Sequence, residues 1–350
     1  MAASLPDTSR RVMSSNEPEC LTTGRCIYPL QAQFAHAVNT EKKLRSVLAD
    51  IVAKADAPVR ERVNFLEIDV IKSAEDIPDI VPVLGHDPGS RHDLTLKSFF
   101  QMIYDTLITT GDAHNRTRIG IKFDFKETRV IEPALFVLSE WEKRIQDVLL
   151  DVIMDANTYN SNYKSLPRQI RPALILNSDI LTARPIAVFH LFDDERSEAE
   201  TTLQTFVDYF PSAIYSIGWK TMLEGRYYSH KDVSKMLDVV SSCRLSREKS
   251  NADPMVITYA IRASWFSNSW EDMPRLLGEN PYSTLTLWSN TKLDSGKIEF
   301  IEKNALHQAS LYSRAILDLY IPIWVDLVET KENMGTTIPD NGENLTIKKR

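Results

Sequence analysis

The sequence predicts an α/β protein built as a single parallel (β/α)8 barrel, and two observations carry that prediction. Short apolar strands alternate with helix-length amphipathic segments along most of the chain, and eight strand segments can be counted. Polar residues recur near the carboxyl ends of several of them, where a parallel barrel keeps its working face. A doubly wound sheet is the other arrangement the same alternation allows. The 350 residues fit one barrel, since barrels of about 250 residues or more form a single domain.

Residues 1–28 are rich in Ser, Pro, Thr and Arg without periodicity and read as a disordered arm. The barrel domain is expected over 29–328. Its first strand closes on His36, and a helix follows over Glu41 to Ala55. The second strand, Asn-Phe-Leu-Glu-Ile-Asp-Val from Asn64, alternates so that Glu67 and Asp69 share one face and Leu66, Ile68 and Val70 the other. Gly-His-Asp-Pro follows, with His86 in a loop fixed by Gly and Pro, and then a helical pattern over Leu94 to Thr109. Further strands lie within Arg118 to Phe125, Pro172 to Ile180, Ala213 to Trp219, Met255 to Trp265, Ser283 to Trp288 and Ala309 to Tyr320. Helical patterns separate them near Ile131 to Leu150, Glu198 to Tyr209, His230 to Cys243, Trp270 to Leu277 and Lys297 to Ala305. Residues 329–350 read as a loose tail.

Composition excludes several classes. A net charge of −7 and a pI near 5.6 leave no basic footprint for nucleic acid. No run approaches the roughly 18 apolar residues of a membrane span, and the amino terminus has no apolar signal core, so the expected location is cytoplasmic, or extracellular if the amino terminus is incomplete. Cys20, Cys26 and Cys243 suit reduced thiols better than a disulfide framework. With 11 glycines and no phosphate loop, GxSxG, HExxH or kinase pattern, hydride transfer, P-loop chemistry and serine hydrolysis are demoted.

Two carboxylates on one strand face repel unless something offsets them, and a divalent cation is the usual solution, a solvated face the plainer one. The strand Ile-Lys-Phe-Asp-Phe-Lys adds Lys122, Asp124 and Lys126 on one face, which suits either a bound anion with its counter-cation or a buried ion-pair ladder. Asn177 and Asp179 share a face near the end of the next strand. Trp219, Arg262 with Trp265, and Trp288 come at later strand ends, where indoles would wall a ligand pocket. The other histidines lack ligand spacing. Two histidines, three carboxylates and lysine at one mouth suit metal-assisted phosphodiester chemistry on a small or lipid-derived substrate.

The ordered series Ala-His-Ala-Val-Asn (35–39), Glu-Ile-Asp-Val (67–70), Gly-His-Asp-Pro (85–88), Ile-Lys-Phe-Asp-Phe-Lys (121–126), Asn-Ser-Asp-Ile-Leu (177–181), Ser-Ile-Gly-Trp (216–219) and Arg-Ala-Ser-Trp (262–265) resembles the menorin family. That family is in turn distantly similar to phospholipase-C-like and glycerophosphodiester phosphodiesterase barrels. The resemblance implies Glu67, Asp69 and Asp124 as ligands of Mg²⁺ or Ca²⁺, His36 and His86 as general acid and base, and Lys126 or Lys122 on a phosphate oxygen. It also implies departures, since His36-Ala37-Val38 stands where the phosphodiesterases carry His-Arg-Gly. The loss of that Arg favours a second expectation, a recognition or adhesion module that keeps the barrel mouth without turnover, as in menorins that act at cell surfaces during neuronal patterning.

Overall fold

The structure is a computed structural model that describes residues 26–27, 34–55, 57, 62–74, 80–87, 92–108, 117–154, 169–183, 194–221, 227–249, 253–278, 280–289, 294–301 and 326–327. Its strands, in chain order, are β1 (Cys26–Ile27), β2 (Phe34–Ala35), β3 (Phe65–Lys72), β4 (Pro82–Leu84), β5 (Gly120–Phe125), β6 (Asp151–Met154), β7 (Gln169–Pro172), β8 (Leu174–Ala183), β9 (Ile214–Thr221), β10 (Val256–Arg262), β11 (Ser283–Ser289) and β12 (Asp326–Leu327). Seven of them, in the order β2-β3-β5-β8-β9-β10-β11, form one sheet, with β12 extending it beyond β11. Every pairing along that path is parallel. β4 pairs antiparallel with β3, off the main path.

Parallel strands need crossovers, and amphipathic helices supply them. In the helix Glu41–Ala53, Leu44, Leu48 and Ile51 are buried at helical spacing, and Thr40 accepts the backbone N–H of Lys43 at 3.2 Å to cap its start. Thr95 caps the helix Leu96–Ile103 in the same way through Ser98, and Leu96, Phe99, Phe100 and Ile103 are buried. The helix Ile131–Ile145 buries Ala134, Leu135, Leu138, Trp141 and Ile145. Leu66, Ile68 and Val70 of β3 join these side chains in one apolar core. Glu67 and Asp69 alternate with them and are also buried, at 7% and 5% exposure, so their face is an interior too.

The shape of that interior follows from one cavity. Phe34 of β2, Lys122 of β5, Ser216 of β9, Thr258 of β10, and Thr286 and Trp288 of β11 all line it. A flat sheet of seven strands at about 4.8 Å spacing holds its outer strands almost 30 Å apart. The sheet is therefore curled, as part of a barrel. No pairing joins β2 to β11 or β12 among the described residues.

Several boundaries differ from the sequence reading. The segment Ala309 to Tyr320, expected as the eighth strand, and the tail 329–350 lie outside the described residues, as do 1–25. Cys26–Ile27, within the stretch read as a disordered arm, pairs with β6 as the edge of a separate three-stranded sheet, β1-β6-β7. β9 runs on to Thr221, so Trp219 does not end its strand. β10 stops at Arg262, and Trp265 falls in the helical turn Ala263–Phe266. Cys243 is a buried free thiol in the helix His230–Lys249, pushed up to about 11 by burial. Among the described residues no helix is long and apolar enough to cross a membrane.

Candidate active site at the strand ends

Register brings the polar residues together. Glu67 stands opposite Lys122 and Asp69 opposite Asp124 across β3 and β5. Asp124 stands opposite Asn177, Asn177 opposite Ser216, and Asp179 opposite Gly218. Period-two alternation then keeps these side chains on the concave face, as the sequence reading expected.

Two hydrogen-bonded arcs cross that face. In the first, His36 Nδ1 meets Glu67 Oε2, and Lys122 Nζ donates to Glu67 Oε1 at 2.5 Å. In the second, Asn39 Nδ2 donates to Asp69 Oδ2 at 2.6 Å, Lys126 Nζ bridges Asp69 and Asp124 at 2.8 and 2.6 Å, and Asn177 Nδ2 donates to Asp124 Oδ1 at 2.8 Å. Ser216 Oγ closes the second arc by donating to Asn177 Oδ1 at 2.5 Å. Burial alone would raise the Glu67 carboxyl, but Lys122 and His36 outweigh it and hold Glu67 well below the usual carboxylate range. Burial works against charged Lys122 and Lys126, yet their carboxylate neighbours keep both above the ordinary lysine value.

Asp179 behaves differently. Burial first, and the negative charge of Asp124 second, push it up to about 7 despite Lys126, Lys220 and Lys122. Gly218 makes room for it: a Cβ there would lie 2.5 Å from Asp179 Oδ1. Across the mouth hydroxyls, indoles and one guanidinium replace the carboxylates and lysines. Thr258 and Thr286 share a hydroxyl hydrogen bond of 2.6 Å, and the Arg262 guanidinium lies 5.7 Å from the Trp288 ring and 5.8 Å from Trp265.

The structure gathers His36, Glu67, Asp69, Lys122, Asp124, Lys126, Asn177 and Asp179 at one mouth, and Trp288 lines the same cavity. Three of the named candidates sit elsewhere. His86 is 70% exposed and pairs with Asp87, although its loop is tied to the site by the hydrogen bond from Gly85 N to Asp69 O, at 3.0 Å. Trp219 and Trp265 are not in the lining of the cavity that Trp288 borders. They are buried on either side of Tyr228, with ring centroids 4.8 and 5.2 Å from it. The reason is parity for Trp219, which follows inward Gly218, and a helical turn for Trp265.

Sequence reasoning did not assign roles to Asn39, Ser216, Thr258 or Thr286. Asn39 carries a local signal: Ala37 takes a left-handed φ of 48°, a conformation uncommon outside glycine, and this turns the chain so that Asn39 Oδ1 also accepts the Asp69 N–H at 2.9 Å.

As a metal site the mouth has the right donors and a competing arrangement. Carboxylate oxygens from Glu67, Asp69 and Asp124 suit hard cations such as Mg²⁺ or Ca²⁺. Among the described residues, however, no group of three or more His, Cys, Asp and Glu is set to hold an ion, because lysine ammoniums lie between the carboxylates.

Fold and site together define an α/β protein with a curled parallel sheet and a charged polar centre at its strand ends. The sequence profile described as the menorin N-terminal domain matches residues 29–169 and 162–322, so the chain belongs to the menorin family. It is also 22% identical to human protein FAM151B over 253 residues, which cover 71% of this chain and 72% of that protein.

Proposed function

We propose that the protein is a phosphodiesterase-like enzyme whose closed (β/α)8 barrel acts on a small or lipid-derived phosphodiester, with Mg²⁺ or Ca²⁺ at Glu67, Asp69 and Asp124. One observation carries this reading: three carboxylates face two lysines in the two arcs, which leaves one negative charge to be met by the His36 imidazole or by a cation. A phosphodiester, itself an anion, is repelled by that balance. A divalent cation would reverse it to one positive charge and polarise the phosphoryl oxygens.

The chain's own groups then have distinct tasks. Glu67 holds His36 through Nδ1 and orients the imidazole for proton exchange with substrate or water. With a cation held by the three carboxylates, Lys122 and Lys126 would be available to phosphate oxygens. His86, whose loop is tied to Asp69 through Gly85, is the second proton carrier this reading requires. Asn177, Asp179, Arg262 and Trp288 surround the alcohol portion.

A specific observation favours the second reading, a recognition module without turnover: all three carboxylates already have lysine partners, and His86 pairs at the surface with Asp87. Calorimetric titration of chelator-stripped protein with Mg²⁺ and Ca²⁺, beside a Glu67→Ala/Asp69→Ala variant, separates the two. Binding by the wild type alone supports the enzyme. No binding by either supports the module.

A further inference from the structure

The second arc fixes where protons lie, and this sets the hydrogen-bonding character of the cavity beside it. A carboxylate only accepts, so Asn177 must turn its Nδ2 toward Asp124. Its Oδ1 then faces Ser216, whose single hydroxyl proton is used there. Ser216 lines the cavity, yet it has only lone pairs left to offer. On the neighbouring strand Thr258 stands in register beside Ser216, and it shares one hydrogen bond between two hydroxyls with Thr286. That pair retains one proton. The cavity thus has an acceptor on β9 and a donor on β10 or β11, the complement of a hydroxyl group, which both gives and takes. Among the described residues that line the cavity, Lys122 and His36 are the groups suited to an anion.

We infer that Ser216 is a specificity-determining residue, accepting a hydrogen bond from a hydroxyl on the alcohol portion of the ligand. The preferred ligand class is therefore a hydroxyl-bearing phosphodiester rather than an alkyl or aryl one. This inference rests on the phosphodiester reading for the charged end of the ligand but not for the hydroxyl end. An unpaired buried acceptor is costly, so a ligand that cannot donate is rejected.

The test compares 2-hydroxyethyl methyl phosphate with 2-fluoroethyl methyl phosphate, near-isosteric anions that differ in the ability to donate. Affinities are measured by calorimetry with Mg²⁺ present. The wild type is expected to prefer the hydroxyl compound by about ten-fold, the scale of one well-placed hydrogen bond. Ser216→Ala should bring the two within about two-fold. Asn177→Leu frees the Ser216 proton, and its expected mark is a gain in affinity for the fluoro compound, which a merely structural role does not give. Ethylene glycol, followed by NMR shifts of the wild type and Ser216→Ala, is the neutral arm. If glycol binding depends on Ser216 while neither phosphate binds, the phosphodiester reading falls and the hydroxyl site stands. Equal affinity of the wild type for both phosphates, preference retained in Ser216→Ala, or no binding of any of the three compounds overturns the inference.

Discussion

Glu67 and Lys122 face each other across the parallel register of β3 and β5, and their side chains meet at 2.5 Å inside the curled sheet. A pair so deeply placed contributes little net stability, but breaking it strands a charge. Glu67→Gln should therefore destabilise the fold by about 3 kcal/mol, read from urea unfolding at pH 7. Because Glu67 is held below its ordinary value, the difference from wild type should be full above about pH 5 and shrink as the solution is acidified below the unfolded carboxylate pKa of about 4. A loss of stability that stays constant down to pH 2 would remove the pair from the account.

Lys126 occupies the position a cation would take between Asp69 and Asp124. Lys126→Met should lower the melting temperature in chelator and regain most of it in millimolar Ca²⁺, because the exposed carboxylates then bind the ion. Thermal unfolding with and without Ca²⁺ checks this, and an equal loss in both conditions would show that these oxygens do not serve as ligands.

Asp179 makes a pH prediction of opposite sign to that of Glu67. Its folded value of about 7 lies above the unfolded one, so the folded state keeps a proton that the unfolded state has lost between about pH 4 and 7. Stability from this group is present at about pH 4 and declines as pH rises toward 7. Asp179→Asn should flatten that slope and leave the variant more stable than wild type at pH 8.5. Parallel denaturation series at pH 5 and 8.5 measure it.

How much of this was legible in the sequence depends on whether a feature is local or made by partners. The ladder Glu67, Asp69, Lys122, Asp124, Lys126 follows from alternation along two strands and the residue after the second, and the ion pairs of the structure join its members on one inward face. Ser216 gave no such signal, because its role comes from Asn177 and Asp124 on two other strands. β4, β6 and β7 escaped notice as three- and four-residue strands too short to show a period. Trp219 and Trp265 were misplaced because strand ends were misjudged by two or three residues, and one residue of shift reverses the face.

The tryptophans now separate by consequence. Trp219→Ala should cost about 3–5 kcal/mol of stability, since its ring is buried against Tyr228. Trp288→Ala, at the cavity wall, should cost less stability and more ligand affinity. Unfolding free energies for both variants, beside phosphodiester affinity for Trp288→Ala, decide the assignment.

Gly218 gives a coupling prediction. Gly218→Ala sets a methyl group against Asp179 Oδ1 and should destabilise by about 1–3 kcal/mol. The double variant with Asp179→Ala should recover most of that loss, a non-additivity that a double-mutant cycle detects.

The most direct measurement is phosphodiester turnover by purified protein in Mg²⁺ or Ca²⁺, beside His36→Ala and Glu67→Ala/Asp69→Ala. The account predicts cleavage by the wild type that falls at least about 100-fold without His36, within the usual contribution of a general acid or base, and that disappears without the carboxylates. Turnover that survives the loss of His36, or a wild type that binds cations yet cleaves nothing, would contradict it.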